Sequence, residues 1–227
     1  MSEQTTIPPA ETPRRPRLRL LAALLALLVV AAVVALLAGG GSSTTPLPGG
    51  VREATPGGGL YGTLTLPVRA APAISLRNYR GQPVTLARYR GRAVFVTFLY
   101  ANCPDVCPLI AANLRVALRM LGRHAANAQL IAVSVDPRGD TQRAVRHFLA
   151  AHELLGRMQY LIGSGAELAR TWRAWSVGSQ RDVGRPELVA HSALVYGVAA
   201  SGRLTTIYPA SFQASEIAHD VPLLLAR

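Results

Sequence analysis

No lysine occurs anywhere in this 227-residue chain; its basic charge rests on 24 arginines against 12 acids, a net charge of +12. Basic clusters are the electrostatic footprint of nucleic-acid binding. Here the arginines are scattered rather than massed, which argues against a nucleic-acid partner. The charge reads as a solvated, arginine-rich surface lying at most near anionic lipid. Cysteine is nearly as scarce, Cys103 and Cys107 being the only two, too few by themselves for a structural zinc site, which takes four ligands. The sequence also lacks an internal repeat, and 50% of it is hydrophobic, enough for one globular domain with a single core.

The longest apolar run, LLAALLALLVVAAVVALLA over 20–38, has neither charge nor proline and matches the thickness of a bilayer core. Small residues at a cleavage site are poorly represented at its end, and no cysteine follows to accept a lipid, so the run reads as a retained anchor. Arg14, Arg15, Arg17 and Arg19 precede it, and the positive-inside rule leaves the amino terminus in the cytoplasm. The expected organisation is a cytoplasmic basic amino terminus (1–19), a single transmembrane helix (20–38), a flexible linker (39–71) and a folded domain (72–227). The protein is then a single-pass cell-membrane protein with its carboxy-terminal domain extracytoplasmic. The Gly-, Ser-, Thr- and Pro-rich stretch 39–59 spans about 25 Å on average as a flexible chain.

Downstream, apolar runs alternate with helical periodicity. Strands are expected at 84–87, 93–100, 129–135 and 158–162. Helices are expected through Ile110, Leu114, Ala117, Leu118 and Leu121, through Val145, Phe148 and Leu149 with Asp140 or Thr141 as cap, and after a Ser164/Glu167 capping box. A hairpin over 193–198 and 204–208 precedes a last helix at 214–225, which Pro222 should kink or shorten. This order predicts an α/β fold, a mixed sheet flanked by helices on both faces.

Cys103 and Cys107 fall in YANCPDVCP, after the 93–100 strand and at the start of a helix. That is where α/β sheets present reactive groups, and helix N-terminal amides stabilise a thiolate. Pro104 and Pro108 each suit the first helical position and cannot both occupy it. A structural disulfide is one reading; over so short a loop it stabilises by only about 2 kcal/mol. A redox pair is another, with Cys103, nearer the helix start, as attacker. Metal binding is a third: thiolates select soft ions such as Cu(I), and one imidazole completes a trigonal site. Of the five histidines, His124, His147, His152 and His219 lie on or beside helix patterns, whereas His191 stands at the mouth of a strand in ELVAHSALVY.

The stretches FLYANCPDVCP, SVDPRGDT and HSALVY, with the apolar amino-terminal run, together resemble the Sco (SenC) group of copper-handling, thioredoxin-like proteins that serve cytochrome c oxidase assembly. The resemblance covers about residues 72–226. It implies a thioredoxin-like core with an added hairpin and a copper ion held by Cys103, Cys107 and His191. Asp136 is then a supporting or partner-facing residue. The implied partners are the copper-site subunit of cytochrome c oxidase and other copper carriers, and the implied function is delivery of copper to the binuclear copper site or its maturation. A thiol-disulfide oxidoreductase that reduces the acceptor's cysteines is the alternative, with Cys103 and Cys107 as its redox pair; a redox or copper sensor is a third class. Two positions depart from the family pattern: Ala190 stands where an acid often precedes the histidine, and Asn102 where a histidine is frequent. An imidazole at 191 therefore needs a different acceptor for its second nitrogen, a role open to a backbone carbonyl.

Overall fold

The computed structural model describes residues 59–62, 64–185 and 188–227. The expected transmembrane segment and cytoplasmic amino terminus lie outside them, and among the described residues no helix is long and apolar enough to cross a membrane. At the centre is β4, Ala93–Leu99, whose β-branched and aromatic residues are buried at every position, as in a strand covered on both faces. β5 (Ala128–Ser134) and β6 (Met158–Ile162) run parallel to it, Ala93 opposite Ala128 and Leu130 opposite Met158. The connecting helices α1 (Val106–Leu121) and α2 (Gln142–Ala151) share one face, since right-handed crossovers progressing in one direction place them there.

Antiparallel strands extend this parallel centre on both sides. Next to β4 come β9 (Leu194–Val198), β10 (Arg203–Pro209) and β1 (Leu64–Ala70); beyond β6 come β2 (Ser75–Asn78) and β3 (Pro83–Thr85). The two faces of the sheet can be told apart on β4. Phe95 meets Tyr208, which touches Phe212 and donates a hydrogen bond to Asp220 of α4 (Ala214–Leu225), whereas Phe98 meets Tyr196 and Trp175, the residue after α3 (Gly165–Ala174). α1 and α4 pack together on the first face, leaving α3 to the second. Ile110 and Leu114 of α1 are completely buried, each contributing about 1.5–3 kcal/mol of apolar transfer.

The sheet begins earlier than the expected boundary at residue 72, because β1 occupies the end of the expected linker. Pro67 cannot donate to a ladder, which suits a strand confined to the sheet edge; the β1–β10 register shifts between Thr65 and Arg69. Just before it, the Tyr61 and Gly62 amides donate to the fully buried Asp220 carboxylate at 2.8 and 3.3 Å. Pro222 does not shorten α4, which continues to Leu225 with Val221 and Leu224 packed in the core.

Candidate metal centre

β4 ends at Leu99 and the chain turns through residues 100–105 into α1. Neither proline takes the first helical position: Asp105 is the N-cap, Val106 the first residue, Cys107 the second and Pro108 the third. Pro108 thus falls within the first turn, where the amide it lacks has no intrahelical partner to lose. The Asp105 side chain makes no capping bond. The sulfur of Cys103 takes that place, 3.4 Å from the Cys107 amide.

This arrangement separates the two thiols electrostatically. Cys103 is held well below the ordinary thiol range, first by a hydrogen bond from the Cys107 thiol, then by His191 and the amides of Asp105 and Cys107, against the opposing effect of burial. Cys107, the donor in that bond and fully buried, is pushed up by both effects. Cys103 is thus biased toward thiolate and Cys107 toward thiol, and both cysteines are free.

His191 arrives on a separate element. It ends β8 (Val189–His191), which pairs with β7 (Ser179–Arg181) as a two-stranded ribbon outside the main sheet. Two ties hold the ribbon against the loop after β5, and a third closes its own base. The Ser179 hydroxyl donates to the Val135 carbonyl at 3.3 Å, Ser192 bonds with the backbone of Gly178 at its base, and Arg181 forms an ion pair with the buried carboxylate of Asp136. Asp136 also accepts from the Arg138 amide at 3.1 Å. Gly139 is required beside it, because a Cβ there would stand 2.2 Å from Asp136 Oδ2.

The ribbon sets His191 Nε2 3.6 Å from Cys107 Sγ. Bonds of about 2.3 Å to sulfur and about 2.0 Å to imidazole nitrogen, meeting at about 110–120°, put two donors roughly 3.5–3.7 Å apart. Cys107 and His191 already stand at that spacing. Among the described residues no three His, Cys, Asp or Glu side chains are gathered as a complete metal cage. Cys103 stands beside them, its sulfur accepting from the Cys107 amide and its side chain lining the same groove as His191. The second ring nitrogen, Nδ1, lies 3.3 Å from the Ser192 carbonyl, so a backbone oxygen serves where Ala190, exposed and apolar, cannot.

Of the sequence candidates, the structure brings Cys103, Cys107 and His191 together and places Asp136 behind the ribbon. Asn102 is exposed, and the other four histidines lie elsewhere: His124 and His147 are exposed, His152 packs on Phe148, and His219 sits beside Asp220. Three contributors escaped the sequence reading. Tyr100 packs edge-on against His191 at 5.8 Å and hydrogen-bonds Cys103, burial being the main cause that pushes its phenol up to about 12. Of the two caps expected for α2, Thr141 takes the place, while Asp140 points inward, accepting from the Ala101 amide at 2.7 Å and the Tyr160 hydroxyl at 2.9 Å. Arg181 is the third; in the sequence it is one arginine among 24. A groove of about 720 Å³ opens onto Cys103 between the first turn of α1 and the ribbon, with Val183 on its rim 96% exposed.

A family model described as SCO1/SenC matches residues 66–226. Protein SCO2 homolog, mitochondrial, of Bos taurus is 28% identical over 152 residues, covering 65% of this chain; the chain spans 56% of that relative's length. The structure of Bradyrhizobium japonicum ScoI with copper bound is 25% identical, with a TM-score of 0.62 over 69% of this chain and 99% of that one. BsSco shares the fold at 21% identity, with a TM-score of 0.60 over 70% of this chain and 95% of its own; it is described as a member of the Sco family of cytochrome c oxidase assembly proteins with a disulfide switch. The expected thioredoxin-like α/β architecture, a mixed sheet flanked by helices, is the one these relatives have.

Proposed function

This chain belongs to the SCO1/SenC family, and from that premise we propose that it carries copper on Cys103, Cys107 and His191 and passes it to the copper-site subunit of cytochrome c oxidase. The observation that carries the reading is the 3.6 Å approach of His191 Nε2 to Cys107 Sγ, beside a Cys103 thiolate. Two sulfurs and one imidazole form a soft donor set suited to Cu(I). The copper-bound ScoI relative and the oxidase-assembly description of BsSco agree with it. Release proceeds by ligand exchange: an acceptor thiol entering the groove beside Cys103 displaces the donors one at a time. In the same reading the apolar run 20–38 is a single-pass anchor that keeps the domain on the outer side of the cell membrane.

Anaerobic copper titration of the full-length protein tests the site. Wild type is expected to take a single copper ion, and Cys103→Ala, Cys107→Ala and His191→Ala each to lose it. Unchanged affinity in His191→Ala overturns the three-donor site. A thiol-disulfide oxidoreductase would then remain, marked by a mixed disulfide that Cys107→Ala traps on Cys103.

A further inference from the structure

The three donors lie at the carboxyl ends of β4, β5 and β6, and charge is divided unequally between the two ends of the sheet. Asp105, Asp136, Asp140, Glu167 and Asp182 belong to the donor end, where Arg138, Arg181 and Arg185 stand among them. At the opposite end, Arg88, Arg90, Arg92, Arg123, Arg157 and Arg203 are all exposed. The strand registers bring these together. Arg92 directly precedes β4 and Arg157 directly precedes β6, Arg123 lies in the turn feeding β5, and Arg203 opens β10 on the strand end where Leu204 pairs with Val198 and Val198 with Val94. Glu153 is the one acidic side chain among the described residues at that end, and it is engaged by Arg115 and Arg119 at 3.3 and 2.5 Å.

Within this face is a pocket of about 560 Å³ lined by Arg88, Arg92, Asn78, Gln82, Gln129 and Gln159. Its wall is fixed: the buried Asn78 amide donates to Gln82 Oε1 and Gln159 Oε1, both at 3.0 Å. Among the described residues neither the Arg88 nor the Arg92 guanidinium has a hydrogen-bond or ion-pair partner. Two free guanidiniums above a rigid amide floor suit a phosphate group. Met120 and Leu155, 56% and 42% exposed, lie within three residues of Arg123 and Arg157 in the chain, and basic residues interleaved with exposed apolar ones mark a lipid interface.

We propose that this end of the domain docks on an anionic phospholipid surface, with a headgroup phosphate seated between Arg88 and Arg92. Docked this way, the domain presents Cys103, Cys107 and His191 away from the bilayer. The chain length permits it. β1 enters from the donor end and its seven residues descend the sheet, roughly 23 Å at about 3.3 Å per residue, while the residues between 38 and 59 reach up to roughly 70 Å when extended. The proposal is independent of copper; it needs the apolar run 20–38 only to keep the domain near lipid.

The test is hydrogen–deuterium exchange on the full chain in nanodiscs of phosphatidylcholine alone or mixed with phosphatidylglycerol. Exchange across residues 86–92 and 153–158 is expected to slow several-fold in the anionic discs and to recover in high salt. Arg88→Glu with Arg92→Glu abolishes that slowing and leaves the copper titration unchanged, which separates this proposal from the one above. Equal exchange in both kinds of disc overturns it, as does slowing that survives the double substitution. Slowing in phosphatidylcholine discs on addition of inorganic phosphate, or only on addition of an acidic protein, also overturns it, because the face would then serve a free anion or a protein.

Discussion

Cys107 stands on the first turn of α1, completely buried against the central strand, whereas His191 ends a three-residue strand in a ribbon outside the main sheet. The sulfur's position is fixed by the same packing that fixes the fold. The imidazole's position depends on a few polar ties, chief among them Asp136 to Arg181. The contrast implies that the thiols are set once the domain folds, while the imidazole is the group that local opening can withdraw from them.

The largest expected effect tests the thiol side. Leu114→Ala removes a fully buried side chain from α1 and should lower global stability by about 2–5 kcal/mol, read by urea unfolding. A loss below about 1 kcal/mol would mean that the core does not carry this helix.

Asp140 sharpens the comparison from beneath the thiol loop. Burial raises its carboxyl to about 6, so the folded state keeps a proton that the unfolded chain releases near the ordinary carboxyl value of about 3.9. The folded state therefore binds more protons in this window, and stability falls as pH rises. The contribution is fully present below about pH 4 and lost as pH passes about 6, an amount of order 3 kcal/mol. Asp140→Asn should flatten that slope while still offering an oxygen to the Ala101 amide. Parallel pH–stability curves for the two proteins would remove Asp140 from this role.

The smallest expected effect falls on the ribbon. Asp136→Asn weakens the tie to Arg181, one step removed from the proposed ligand His191, and the expected loss is at most about 10-fold in affinity, the low end for partners that touch a ligand directly. Copper binding should weaken within that limit while the unfolding midpoint moves less than in Leu114→Ala. Equal losses of affinity and stability would dissolve the distinction between the two supports.

The elements that carry the thiols were legible because their patterns are strong. The continuous apolar run of β4, the periodic leucines of α1 and the capping box of α3 each follow from local rules, and each was found. The cysteine pair could be placed for the same reason, whereas His191 was singled out mainly by family resemblance. The ribbon was missed because three-residue polar strands show no period, and β1 because its proline and linker-like neighbours hide an edge strand. Asp140 and Thr141 look alike as caps, and only the packing of Tyr160 and the thiol loop turns one of them inward. Arg181 gives no local signal at all, since its partner lies 45 positions away.

The thiol proton that Cys107 keeps also bears on the charge of the loaded cluster. A singly charged cation that binds both sulfurs expels that proton and leaves the buried cluster as charged as it was before. A doubly charged cation brings the same donors to zero net charge, so a preference for the singly charged ion rests on the softness of the two sulfurs and not on charge balance.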